Sequence, residues 1–217
     1  IIPSQNRQVE FNHNQQVQRD MVEVRNTLLD TYSGGDDGYT EVTLGTTFPP
    51  RLLALNPPSA TGSLSTTDPR PITIEDRNGT DITTDVCPGD NVESQSLEYT
   101  PSYSTYRGAG TLRYESSFLL HAFGSESVQL TDQTLIQGDR LQILPLTGDI
   151  SVGGTQTVAV EPRAGVVDSS TRAVGNVTLP TQTSESRWRQ LLDGQVDPSN
   201  VTVTNGAAGS NVTITLN

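Results

Sequence analysis

Val17-Gln18-Arg19-Asp20-Met21-Val22-Glu23-Val24-Arg25-Asn26-Thr27-Leu28-Leu29, followed by Asp30-Thr31-Tyr32-Ser33-Gly34-Gly35, is the stretch on which the fold turns. Val17, Met21, Val24 and Leu28 fall at i, i+4, i+7 and i+11, one apolar stripe of an α-helix, and Arg19, Asp20, Glu23 and Arg25 lie mostly off it. Gly34-Gly35 ends the pattern. Upstream, Pro3 predicts a break or kink at Ile2, with Ser4 or Asn6 as the cap. Asn12 to Gln16 is polar all round, so the spacing predicts a helix that docks through Val17–Leu29 and leaves the remainder of the protein through Ile1–Gln16. His13 sits in that polar turn and reads as solvent-facing.

Nothing after Gly35 shows the same period. Short Thr- and Val-rich runs broken by Gly, Pro, Asn and Asp predict strands: Thr40–Leu44, Arg51–Leu55, an edge piece at Gly62–Thr66, Ser94–Thr100, Leu112–Glu115, Ser117–Phe123, Val128–Leu130, Arg140–Leu144, Thr155–Glu161, Ala173–Leu179, Asn200–Thr204 and Asn211–Leu216. The segment from Ile72 to Thr84 reads as a hairpin. A two-residue Asn78-Gly79 turn would mix its faces, whereas a three-residue loop Arg77-Asn78-Gly79 sets Ile74 opposite Ile82. Ser184–Asp193 returns to helical period, with Trp188, Leu191 and Leu192 on one face. The fold class is therefore mainly β, sandwich-like, with an N-terminal α-helix and one short helix in the C-terminal region. Residues 1–33 form a helical stem and 34–217 a β domain.

The 217 residues carry a net charge of −12, and all 13 basic residues are Arg. An acidic surface without Lys suits strong salt, where repulsion is screened within a few Å, and it disfavours nucleic acid as a partner. Cys87 is the single cysteine, so no intrachain disulfide forms; Asp85 and Asp90 nearby disfavour its thiolate. With two histidines and no Lys, most general-base and metal arrangements are closed. His121 lacks a nucleophile elbow and reads as a structural strand residue. Asp76, Asp81, Asp85 and Asp90 cluster around the hairpin but do not follow an EF-hand spacing, which leaves Ca²⁺ a weak possibility and no other cofactor. Tyr99, Tyr103, Tyr106 and Tyr114 are read as sandwich core or rim, with a binding face as the alternative. Asn78, Asn176, Asn200 and Asn211 each begin an Asn-x-Thr triplet without Pro, and are candidate N-glycosylation sites on an exported surface.

Met21 is the only methionine, so Ile1 is not read as a translation start, and an apolar segment is compatible with what precedes it. Ile2-Pro3-Ser4-Gln5-Asn6, Val9-Glu10-Phe11-Asn12-His13-Asn14, Val17-Gln18 and Arg25-Asn26 resemble a group of uncharacterised haloarchaeal, pilin-like cell-surface proteins. So do Val42-Thr43-Leu44-Gly45-Thr46, Pro50-Arg51-Leu52-Leu53-Ala54, Asn56-Pro57-Pro58, Gly62-Ser63-Leu64, Leu97-Glu98-Tyr99 and Tyr114-Glu115. The resemblance implies a membrane anchor before Ile1, an extracellular β head and no catalytic residue. The expected function is thus a non-enzymatic, membrane-anchored surface protein, either a filament subunit or an adhesive ectodomain. Its expected partners are copies of itself or other envelope proteins, with Val17, Met21, Val24 and Leu28 as the assembly or packing face of the helix. An envelope or virion surface protein and a secreted carbohydrate-binding module are the alternatives.

Overall fold

Burial alternates at every residue from Val174 to Thr181, the mark of a strand with one face on a core. Period-2 segments of this kind dominate: strand accounts for 37% of the chain against 22% helix, so the fold is mainly β. The structure is a computed structural model and describes residues 2–50, 57–87, 89, 92–165 and 169–216. The expected strand Arg51–Leu55 lies outside the described residues.

In chain order, α1 (Ile2–Gly34) is followed by β1 (Thr40–Thr43), β2 (Thr61–Thr66), β3 (Arg70–Pro71), β4 (Thr73–Asp76) and the single-turn α2 (Thr83–Val86). Then come β5 (Glu93–Ser94), β6 (Leu97–Ser102), β7 (Thr111–Glu115), β8 (Phe118–Phe123), β9 (Glu126–Gln129), β10 (Ile136–Gln137) and β11 (Arg140–Leu141). The chain continues through β12 (Ser151–Gly154), β13 (Thr157–Val160), β14 (Val174–Thr181), α3 (Glu185–Leu191), β15 (Val201–Gly206) and β16 (Gly209–Thr215). Two antiparallel sheets carry the fold, β12-β2-β6-β7-β8-β9 and β15-β16-β14-β4. The β1–β13 ribbon joins α1 over the larger sheet through Val42 and Val160.

Strand β8 is the wall between two cores. Leu119 packs with Val17, Met21 and Val24 of α1, together with Leu64, Tyr99 and Leu112. Its neighbours Phe118 and Leu120 point the other way, into the core of the smaller sheet with Ile74, Val177, Trp188 and Ile214. Full burial of Val17, Met21 and Val24 contributes roughly 1.5–3 kcal/mol each.

Several sequence expectations are corrected. The helix starts at Ile2 with Pro3 inside it, because a first-turn proline has no intrahelical N–H to lose, so neither Ser4 nor Asn6 is a cap. Strand β2 is central, flanked by β12 and β6. The terminal strand is paired on both sides as β16, and its hairpin turns at Ala207-Ala208 after Asn205-Gly206 has continued the strand. Segments β7 and β8 are the arms of a hairpin with a two-residue turn, Ser116-Ser117, both at positive φ. The first hairpin has the three-residue loop: Ile82 N–H donates to the Ile74 carbonyl at 2.8 Å, Asp76 N–H to the Thr80 carbonyl at 2.9 Å, and Gly79 takes φ +78°.

Helix α3 ties down one edge strand of each sheet, β9 and β15. Ser184 caps it, and Trp188 is fully buried with Nε1 donating to Thr181 Oγ1 at 2.8 Å. On one side Arg187 donates to the Ser127 carbonyl of β9. On the other, Arg189 donates to the Val201 carbonyl of β15 at 3.2 Å, while Glu185 accepts the Val203 N–H at 2.9 Å. The Ser127 and Val201 carbonyls and the Val203 N–H are thereby withdrawn from pairing with another chain.

Candidate functional site at the helix–head joint

The buried stripe of α1 does not stop at Val17. Asn6, Glu10 and His13 precede Val17, Met21, Val24 and Leu28 at spacings of three or four residues, and all three are buried. One face of the helix is therefore docked over most of its length, apolar in its second half and polar in its first. This overturns the expectation that Ile1–Gln16 leaves the head and that His13 faces solvent.

Glu10 is fully buried and enters a cradle made by the loop after β6. Its carboxylate accepts the backbone N–H groups of Ser104 at 2.7 Å, Thr105 at 2.8 Å and Tyr106 at 2.5 Å, and the Thr105 hydroxyl at 2.6 Å. Burial alone would raise its pKa; the four donors outweigh that and hold it below the usual value. Buried ions persist when several charge-assisted hydrogen bonds replace water, as here.

One turn on, His13 Nε2 lies 3.0 Å from the Thr43 carbonyl of β1, which can only accept, so Nε2 carries the proton. His13 Nδ1 then accepts from the Tyr103 hydroxyl at 2.6 Å. Burial lowers the His13 pKa, against the opposing pull of the Thr43 carbonyl and Asp20. Burial likewise raises Tyr103, keeping the phenol a donor, and lifts Tyr99 to about 12. The Tyr99 hydroxyl donates to the Leu44 carbonyl at 2.7 Å. Gly62 must be glycine here, because a Cβ would fall on that hydroxyl and that carbonyl. Asp20 accepts the Thr43 N–H at 3.2 Å, and burial raises its pKa.

The far half of the helix is tied by Arg25, whose Nε donates to the Ser117 carbonyl at 2.9 Å and Nη2 to the Asp132 carbonyl at 2.8 Å. Arg70, Arg113, Arg187 and Arg189 also donate to backbone carbonyls. Ion pairs are few by comparison: Arg113–Glu98 at 2.5 Å and Arg189–Glu185 at 2.7 Å among the described residues.

The apolar stripe Val17, Met21, Val24 and Leu28 is spent on this protein's own sheet, so those residues present no free assembly face. The four sequons lie apart. Asn78 is exposed at the hairpin tip, and Asn200 is half-buried in a short 3₁₀ turn. Asn176 Nδ2 donates to Glu75 at 3.0 Å and its Oδ1 accepts from Thr215 at 2.9 Å, while Asn211 Oδ1 accepts from Arg70.

Among the acidic cluster, Asp76 and Asp81 hold their own turns: Asp76 accepts from the Asn78 and Thr80 N–H groups, and Asp81 from Thr83. Among the described residues no three His, Cys, Asp or Glu side chains come together to hold a metal ion. His121 Nε2 accepts the Gly110 N–H at 3.0 Å, so that nitrogen is engaged in holding the loop. Tyr99 and Tyr114 are core residues, whereas Tyr103 and Tyr106 line the helix rim, with Tyr106 edge-on to Phe11 at 5.5 Å. A cleft of about 350 Å³ opens beside Arg70, lined by the hydroxyls of Thr67, Ser96, Thr181 and Ser210.

The polar half of the stripe was missed because Asn, Glu and His do not announce burial; the regular spacing from Asn6 to Leu28 was the signal that could have found it. No helix among the described residues is long and apolar enough to cross a membrane. No protein-family model matches the chain, and no curated protein and no solved structure matches it either.

Proposed function

We propose that this chain is a non-enzymatic structural subunit of a cell surface, a pilin-like filament subunit or an anchored adhesive ectodomain of a halophilic archaeon. In this reading a membrane segment on the N-terminal side of Ile1 carries the β head outside the cell. The observation that bears the reading is the joint itself: a 33-residue helix is fixed to the head by Glu10, by His13, by the Val17–Leu28 stripe and by Arg25. A helix tied at four levels transmits force and orientation between whatever holds its N-terminal end and the head, as a tether or filament subunit requires.

The charge pattern supports a salt-rich exterior. Hydrogen bonds from Arg to carbonyls do not depend on a counter-charge, so strong salt screens them less than it screens surface ion pairs. The test is electron microscopy of the product of the complete gene, expressed in a salt-adapted host and combined with protease shaving of intact cells. Regular filaments or a shaved surface layer containing this chain are expected. A product confined to the cytoplasm would overturn the proposal.

A further inference from the structure

Four large apolar side chains are exposed among the described residues: Phe11, Tyr39, Phe123 and Val128. One groove lies on the helix face that also carries Phe11. It runs beside α1 with a volume of about 430 Å³, walled by Gln15, Gln18, Arg19, Val22 and Glu23 and reaching Leu130. Phe11 belongs to the same helix face, because Phe11, Gln15, Gln18 and Val22 are spaced i, i+4, i+7 and i+11.

Leu130 on the opposite bank directly follows β9, the neighbour of β8. Side chains alternate along β8, and Leu119 lies in the helix-side core, so His121 and Phe123 face the helix side too. The register sets Val128 beside His121, and Phe123 stacks on His121 at 4.2 Å. Phe11 is 39%, Phe123 40% and Val128 55% exposed. Phe123 and Val128 thus leave exposed apolar surface on the helix-side face of the sheet, a feature of contact regions.

The charges say what fits. Arg19 and Glu23 are the only ionic residues lining the groove, and they cancel, on a chain whose net charge is −12. A like-charged copy meets no net charge from the groove lining. The pair is also self-complementary: across a two-fold axis each residue of one copy faces its opposite on the other, so a single juxtaposition is satisfied twice.

We propose that the groove is a homodimer contact, in which α1 of a second copy lies antiparallel to the first across a two-fold axis between Arg19 and Glu23. Arg19 meets the partner's Glu23, and the partner's helix covers Val22, Phe123 and Val128. This deepens, and rests on, the reading of the chain as a self-assembling subunit.

Sedimentation equilibrium of the full chain tests it, in the lowest salt that keeps the chain folded so that the Arg19–Glu23 pairs are least screened. The wild type is expected to be a concentration-dependent dimer. Val128→Glu, at an exposed position, is expected to weaken dimerisation roughly tenfold or more, with an unchanged melting temperature at concentrations where both proteins are monomeric. Arg19→Glu and Glu23→Arg each place like charges across the axis and are expected to weaken self-association similarly. An equimolar mixture of those two variants restores both pairs and is expected to form a heterodimer of near wild-type affinity. A wild type that stays monomeric, variants that dimerise unchanged, or a mixture that fails to recover would each overturn the contact. Filaments of the full-length protein that survive Val128→Glu would retain the structural reading and remove this contact. A chain that dimerises through the groove while the complete gene product stays off the cell surface would do the reverse.

Discussion

The carboxylate of Glu10 accepts the backbone N–H of Ser104 at 2.7 Å, joining the first helix to a loop 94 residues further along the chain. A polar residue in the exposed-looking half of an amphipathic helix thereby becomes a fixed point of the fold. Its three companion bonds come from Thr105 and Tyr106, so one side chain orders a whole turn of the loop.

Replacing Glu10 by Ala leaves three backbone N–H groups without their acceptor. Hydrogen bonds to a charged group contribute about 1.5–3 kcal/mol, and orphaned donors add to the loss. Glu10→Ala is expected to cost about 2–4 kcal/mol in chemical denaturation. Val9→Ala, a half-buried neighbour, serves as the comparison.

Acid should loosen the joint in two stages. His13 has a folded pKa below 6.5, so below pH 6.5 the unfolded chain binds the proton more readily and stability falls as pH falls towards the folded value. A protonated Nδ1 would also turn against the Tyr103 O–H that now donates to it. Glu10 has a folded pKa below 4.5; its contribution is full above pH 4.5 and is lost as pH drops through the folded value. Burial raises Asp20 and Glu115, which act in the opposite sense and lose stability as pH rises from 3.8 and 4.5 respectively. Melting temperature followed from pH 7 to 3 in wild type, His13→Gln and Glu10→Gln assigns the stages: His13→Gln should flatten the upper one and Glu10→Gln the lower.

The β7–β8 turn carries strain that a substitution should relieve. Ser116 has φ 46° and Ser117 φ 91°, a conformation that side-chain-bearing residues adopt at a cost of about 1–2 kcal/mol. Ser117 is held there by Arg25 on its carbonyl and by the Thr134 N–H on its hydroxyl at 2.9 Å. Ser116→Gly is expected to stabilise the protein by about 0.5–1 kcal/mol, since Gly meets no such cost there. Ser117→Gly should gain less, because it also forfeits the hydroxyl.

Glycosylation should separate the four sequons. Asn78 stands exposed at a turn, whereas both ends of the Asn176 amide are bonded within the sheet. Intact-glycopeptide mass spectrometry of protein from a glycosylating host is expected to find sugar on Asn78 and none on Asn176. Occupancy confined to Asn176 would contradict the arrangement of β14.

What the sequence disclosed follows from which groups declare their burial. Val17, Met21, Val24 and Leu28 are apolar and periodic, so their docking was legible, as was the pairing of Ile74 with Ile82, where only one register keeps both on the core. Glu10 and His13 continue the same spacing, but they are met by Thr43, Tyr103 and the Ser104–Tyr106 amides. Those partners lie 30 to 96 residues away, beyond any local pattern. Strand β12 was missed because Gly153 and Gly154 give it almost no apolar signature, and β14 was cut short because Pro180 normally ends a strand. The Arg25 tether and the α3 edge bonds run from side chain to backbone carbonyl, and no residue-type rule marks a carbonyl.

Hydrogen–deuterium exchange along α1 tests most directly whether the helix is docked over both halves. At neutral pH the amides of Asn6–Gln16 are expected to be protected to nearly the same degree as those of Val17–Leu29, and Glu10→Ala is expected to lower protection in the first half alone. Rapid exchange of Asn6–Gln16 in the wild-type protein, with Glu10→Ala making no difference, would contradict the account.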